Sequence, residues 1–205
     1  MKKSFLPVAV GAAAILAAAL WWRKHPSACP YGQRWSVAVP HPLITRSRLK
    51  DALRPIAGER LLEIGPGTGY YSLDAAEWVG PEGSLDVFDI QQQMLDHTMN
   101  RAAGRGIENI SPTQGDAQRL PYDPEDFDGA FLVTTLGEIP DQAAAILELA
   151  RVVRPGGRIV VGELMGDPHW VSPGAIRDHA EGAGLRVERR VGPWFGSFTV
   201  LRKPG

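Results

Sequence analysis

From residue 60 onward, short apolar runs alternate along the chain with longer segments whose apolar positions recur every three or four residues. The runs at 60–64, 85–89, 109–113, 128–133 and 158–162 have the length and composition of buried strands. The segments at 70–79, 91–103 and 141–153 have the helical period. In the last of these Ile146, Leu149, Ala150 and Val153 fall at i, i+3, i+4 and i+7 and define one buried face. Ser172 followed by Pro173 supplies a capping hydroxyl and a first-turn proline, and Gly184 supplies a stop, so a further helix lies between them. Residues 185–191 and 197–202 predict two closing strands around Gly192-Pro193-Trp194-Phe195-Gly196. Strands alternating with helices predict an α/β fold with a mostly parallel sheet covered on both faces.

Upstream the pattern differs. Residues 45–54 read as a short basic helix stopped before Pro55. Residues 25–42 carry Pro26, Pro30, Pro40, Pro42 and Gly32 and predict an irregular linker. Residues 5–22 are an uncharged, mostly apolar run of 18 residues, flanked by Lys2-Lys3 and Arg23-Lys24 and ending in Trp21-Trp22. That run is just long enough to cross a hydrocarbon core as a helix, and its paired tryptophans suit the headgroup layer. A cleaved leader is the competing reading, favoured by the small residues Ala17-Ala18-Ala19. The expected organisation is a membrane anchor at 1–24, a linker at 25–42 and an α/β domain at 43–205. The location expected is single-pass in the membrane, with the domain on the cytoplasmic side.

Charge sharpens that division. Residues 21–60 hold eight Lys/Arg against two Asp/Glu, whereas residues 61–205 hold twelve against twenty-one. A basic collar suited to anionic headgroups thus precedes an acidic domain poorly suited to nucleic acid. Cys29 is the single cysteine, which excludes an intrachain disulfide and a cysteine-based metal site; no metal is expected.

The chemistry concentrates in Leu61-Leu62-Glu63-Ile64-Gly65-Pro66-Gly67-Thr68-Gly69, where a strand enters a loop with glycine at every second position and a helix follows. Glycines permit a tight turn and close backbone approach to a ligand, and the helix start offers free N–H groups. Asp89 ends the second strand, twenty residues after Gly69, where a carboxylate can accept from both hydroxyls of a ribose. Gly115-Asp116-Ala117 follows the third strand, and a carboxylate there can accept from an exocyclic amine. Arg154-Pro155-Gly156-Gly157 reads as a turn into the fifth strand.

These motifs, in this order, resemble those of class I S-adenosylmethionine-dependent methyltransferases of the ubiquinone/menaquinone-biosynthesis type, over roughly residues 43–202. The resemblance implies a Rossmann-like seven-stranded, mostly parallel sheet with a C-terminal antiparallel hairpin. It implies S-adenosylmethionine as co-substrate. Gly65, Gly67 and Gly69 would lie under its methionine part, and Glu63 would support that loop and help hold the amine. Asp89 would bind the ribose, Ile90 would flank the adenine, and Asp116 with Ala117 would face its amino group. Thr134 and Thr135 would lie near the amine and sulfonium. Tyr70, beginning a helix beside the glycine loop, joins this set.

Transfer from a sulfonium needs a base only when the acceptor arrives protonated. Glu138 and His169, both in loops after strands, rank ahead of His41 for that role. The acceptor expected is small and lipophilic, a quinone precursor or a lipid, and residues 36–53 are candidates for its entrance. Thr134-Thr135-Leu136-Gly137 stands where amine-modifying nucleic-acid enzymes carry Asn/Asp-Pro-Pro-Tyr/Phe, which argues against DNA or RNA. Two other classes stay open: a non-catalytic tethered cofactor-binding scaffold, and a nicotinamide oxidoreductase. The latter is disfavoured by Gly-x-Gly-x-Gly in place of Gly-x-Gly-x-x-Gly.

Overall fold

The computed structural model describes residues 26–34 and 42–205. Among these residues no helix is long and apolar enough to cross a membrane; the anchor expected at residues 5–22 lies outside them, as does His41.

Helix α1 (Arg46–Leu53) precedes the sheet and is capped by the Thr45 hydroxyl, which accepts the Arg48 amide. Then follow β1 (Arg60–Ile64), α2 (Ser72–Val79), β2 (Ser84–Asp89), α3 (Gln92–Gly104), β3 (Ile110–Gln114), β4 (Phe127–Val133), α4 (Gln142–Val152), β5 (Val153–Leu164), α5 (Pro173–Gly182), β6 (Arg186–Val191) and β7 (Gly196–Arg202). The seven strands lie in the order β3-β2-β1-β4-β5-β7-β6. β1 to β5 pair in parallel, and β7 inserts antiparallel between β5 and β6. This is the Rossmann-like sheet with the closing hairpin that the motifs implied. Caps follow the sequence: Asp141 accepts the Ala144 amide at the start of α4, and Ser172 accepts the Ala175 amide at the start of α5.

Alternate residues of each strand serve opposite cores, because successive side chains leave opposite faces of a sheet. Leu62, Ile64, Ala130 and Leu132 pack with Ile146, Leu149 and Ile176 on the face covered by α4 and α5. Leu61, Val87, Phe131 and Phe198 pack with Leu49, Leu73 and Leu95 on the face covered by α1, α2 and α3. Burial on both faces explains why these strands read as continuous apolar runs rather than alternating ones.

Two boundaries differ from expectation. The helix expected from Tyr70 begins at Ser72, because Gly69 to Tyr71 still turn out of the glycine loop. The turn expected at 154–157 is an irregularity within β5. The ladder to β4 shifts register between Phe127 and Gly129, while Gly156 (φ 73°) donates to Lys203 and Gly157 accepts from it. A bulge of this kind lets a strand carry a Pro-Gly-Gly insertion without losing its neighbours.

A buried ion pair fixes the base of the sheet. Arg158 on β5 donates through two nitrogens to both carboxylate oxygens of Glu59 and also to the Leu53 carbonyl at the end of α1. Burial pushes the Glu59 carboxyl up, but the Arg158 and Ile56 hydrogen bonds and the Arg158 charge outweigh it and hold Glu59 below its ordinary range.

Candidate active site

A cavity of about 340 Å³ opens at the C-terminal edge of the sheet, where β1 and β4 stand side by side and the chain has crossed from one half of the fold to the other. Ligands of open α/β sheets bind at such a switch point, and the volume is that of a small-molecule pocket.

The glycine loop forms its floor. Gly65 adopts φ 69°, which a residue with a side chain rarely takes, and a Cβ there would meet the Thr135 side chain at 2.5 Å. Its amide donates to the Phe88 carbonyl and ties the loop to β2. Gly67 lines the cavity; Gly69 lies behind it, packed on Thr98.

Glu63, on β1 beneath the loop, is 2% exposed. Burial pushes its carboxyl up to about 8, against the pull of the nearby Ser72 hydroxyl and with the added push of the Asp89 charge. Its Oε2 has no hydrogen-bond partner among the described residues, and neither has the Ser72 hydroxyl, which stops short of hydrogen-bond geometry. A buried carboxylate oxygen with no donor is costly, and it is the feature a bound cation or ordered water relieves.

Asp89 closes β2 and is 8% exposed. Burial raises its carboxyl, while the amides of Gln91, Gly67 and Ile90 act to keep it ionised. The Gln91 amide donates to it at 2.9 Å. Ile90 projects at the cavity mouth, 55% exposed, a large apolar side chain left in solvent where a flat ring could cover it. Asp116 and Ala117 line the far end; both Asp116 oxygens accept from the Gln118 side chain. Tyr70 lines the side wall under the Arg46 guanidinium, 4.1 Å from the ring centre.

After β4 the chain bends sharply. Thr134 takes φ 51°, a left-handed conformation that is unfavourable for a β-branched residue. Its amide donates to Gly162, and the hydroxyls of Thr134 and Thr135 both return to the Val133 carbonyl. Such strain persists only where the surroundings impose it, and it marks functional loops. The following 3-10 turn, Leu136–Glu138, delivers Glu138 into the cavity. Burial pushes its carboxyl up to about 8; the Cys29 amide opposes this, and the charges of Asp167 and Asp89 reinforce it.

Of the residues named from the sequence for this site, Glu63, Gly69 and His169 do not line the cavity, and His41 lies outside the described residues. Glu63 and Gly69 lie just behind the loop. His169 lines a neighbouring depression with Trp170 and Ser172, on the far side of Gly137, and a Cβ on Gly137 would meet the His169 carbonyl at 1.6 Å.

What sequence reading missed is the roof. Residues 26–29, taken as linker, line the cavity. The Cys29 carbonyl accepts from the Gln91 side chain at 2.9 Å, and its amide donates to Glu138 at 3.2 Å. The strap therefore bridges the loops after β2 and β4. Beyond it, the 3-10 turn Tyr31–Gln33 sets Tyr31 edge-on to His97 of α3.

Residues 61–157 match the family model described as a methyltransferase domain. The chain is 35% identical over 118 residues to a demethylmenaquinone methyltransferase of Shouchella clausii, covering 56% of this chain and 50% of that protein. It is 36% identical over 108 residues to the ubiquinone/menaquinone biosynthesis C-methyltransferase UbiE of Pseudomonas putida, covering 52% of this chain and 42% of that protein. The chain thus spans about half the length of the curated relatives it matches. Among solved structures, a SAM-dependent methyltransferase from Aquifex aeolicus superimposes with a TM-score of 0.77 at 20% identity, over 85% of this chain and 98% of that one. The [4+2]-cyclase SpnF superimposes at 0.69 with 18% identity, over 78% of this chain and 79% of that one. Both are likenesses of fold.

Proposed function

We propose that this chain, whose residues 61–157 match a methyltransferase-domain model, is a class I S-adenosylmethionine-dependent methyltransferase that moves the methyl group to a lipophilic acceptor, a quinone precursor or another membrane lipid. The observation that carries this is the meeting, in one cavity, of a glycine-rich loop, the buried carboxylate of Asp89 and the loop after β4 that holds Glu138. A structure of this same fold is named for a cyclase, so the fold by itself does not name the reaction. The curated relatives are named for methylation in quinone biosynthesis, and they support that acceptor class.

The residues present fit the co-substrate. Glu63 offers a buried, unpartnered oxygen where an ammonium group would be drawn, directly or through water. Asp89 has a carboxyl that burial raises and that three backbone amides partly pull back, and its strand-end position suits two ribose hydroxyls. Ile90 and Ala117 provide apolar contact for a base, and Asp116 takes its amine in exchange for the Gln118 side chain. When bound, the sulfonium supplies an already activated methyl group. Placing the acceptor in line with it is the main task of the protein, worth roughly 7–11 kcal/mol in favourable systems. Glu138 would take the hydroxyl proton of a phenolic acceptor, leaving a phenolate whose oxygen or ring carbon could receive the methyl group that the co-substrate would supply. Its raised pKa suits a proton acceptor working near neutral pH. The anchor expected at residues 5–22 would hold this cavity beside a lipid-phase acceptor.

The test is transfer of radiolabelled methyl groups into a membrane lipid extract, with and without residues 1–24. Label should enter the lipid fraction, and faster with the full chain. Label entering only a water-soluble acceptor overturns the acceptor class. Absence of S-adenosylhomocysteine binding by calorimetry overturns the whole reading.

A further inference from the structure

One edge of the molecule carries large apolar side chains that no described residue covers. Met165 is 48% exposed, Trp194 55% and Phe195 38%. They form one patch. The Met165 amide donates to the Phe195 carbonyl at 2.8 Å, and the Trp194 and Phe195 rings meet edge to face at 5.6 Å. A contiguous exposed patch of this kind marks an interaction surface, unlike single exposed residues.

Its position in the sheet is fixed by register. Leu164, the last residue of β5, pairs with Gly196, the first of β7. β5 runs parallel to β1 and β4, so the patch stands on the same C-terminal edge as the cavity. Gly162, three residues before Met165, accepts the amide of Thr134 in the cavity wall. Pro26 lines the cavity at that edge as well. Trp22, the last residue of the 18-residue apolar run, precedes Pro26 by four positions. Four residues of extended chain reach no more than about 14 Å. On the reading of residues 5–22 as an anchor, the membrane would therefore meet the chain near this edge.

We infer that Met165, Trp194 and Phe195 dock on a lipid bilayer and turn the cavity-bearing edge of the sheet toward the membrane. The inference rests on the reading of residues 5–22 as an anchor. An indole settles in the headgroup layer, and a phenyl ring beside it buries at the headgroup–acyl boundary. A cation accompanies it: Arg48 donates to the Leu43 carbonyl, and the Leu43 side chain lies against Gly196. That places positive charge beside the patch for anionic lipid. The nearby Asp167 carboxylate accepts the His169 amide at 2.8 Å. An acceptor entering from the bilayer would then meet the cavity without crossing water.

The experiment uses the full chain with Cys29→Ser and a nitroxide on Trp194→Cys or, keeping both aromatic rings, on Met165→Cys. A control label goes on Glu82→Cys, in the exposed turn before β2 at the opposite edge. Each protein is reconstituted into phosphatidylcholine–phosphatidylglycerol vesicles, and label collisions with oxygen and with a water-soluble nickel chelate are compared. Chelate access should fall severalfold at 165 and 194 and stay unchanged at 82. Protein that floats with the vesicles but leaves 165 and 194 as open to chelate as 82 overturns the docking and leaves the anchor standing. Protein that stays out of the vesicle layer overturns both. Dipolar broadening between labels at 194 would identify a second copy of the chain as the occupant and overturn the lipid assignment.

Discussion

The main-chain amide of Cys29 donates to the carboxylate of Glu138 across 3.2 Å, joining two residues 109 positions apart. One oxygen of the proposed proton acceptor is thereby held by the roof of its own cavity. Glu138→Gln keeps an oxygen that can accept from Cys29 but cannot take a proton. Its turnover should fall by about 10²- to 10⁴-fold, with S-adenosylhomocysteine affinity nearly unchanged. Because burial pushes Glu138 up to about 8, wild-type turnover should rise with pH toward that value, and the residual rate of the glutamine variant should be flat. Equal pH profiles would remove Glu138 from the chemistry.

Asp89→Ala should weaken S-adenosylhomocysteine binding by at least about tenfold, since each charge-assisted hydrogen bond lost is worth about 1.5–3 kcal/mol. Asp89→Asn should lose less, because the amide oxygen still accepts from one hydroxyl. Titration calorimetry on both variants checks the order; an unaltered Kd in the alanine variant would move the ribose elsewhere.

Stability of the ligand-free protein should fall as pH rises from about 5 to about 8. Glu63 and Glu163 are both raised by burial to about 8 from an ordinary 4.5, so between those values the folded chain holds protons that the unfolded chain has released. Their stabilising contribution is complete below the unfolded value and disappears as pH passes the folded one. A ligand ammonium beside Glu63 favours its ionised form, so S-adenosylmethionine should raise the melting temperature more at pH 8 than at pH 6, after correction for affinity. Thermal melts across this range in Glu63→Gln, which should flatten part of the slope, assign the effect.

Arg158→Ala leaves the Glu59 carboxylate buried without its guanidinium partner, and should cost about 3–5 kcal/mol in denaturant unfolding. Replacing both residues by apolar ones, Arg158→Met with Glu59→Leu, should recover most of that loss. A double variant as unstable as the single one would mean that the Arg158 bond to Leu53 matters more than the ion pair.

The glycine loop and Asp89 were readable from the sequence because each answers a requirement that few residues meet. Gly65 must adopt a left-handed φ against Thr135, and a strand-end acid at a fixed interval after the loop has little purely structural reason to be there. The strap was not readable. Pro26 to Cys29 carry no titratable group beyond one thiol, and the contacts of Cys29 to Gln91 and Glu138 run through its backbone, which has no signature in composition. The extent of β5 was hidden for a different reason. Pro155-Gly156-Gly157 has turn chemistry, and it is the pairing of Val153 with Phe127 and the hydrogen bonds to Lys203 that show the ladder continuing past it. His169 sits in the expected loop, but it lines the neighbouring depression and not the cavity.

Because the roof grips both sides through the backbone N–H and C=O of one residue, the side chains along it are released from the task of closure. Substitutions at Ser27 or Ala28 can reshape the surface that an incoming molecule meets while the grip itself persists. Selection for a new acceptor therefore has a short stretch on which to work without disturbing the donor side, and a saturation library at those two positions is the place to look for altered preference.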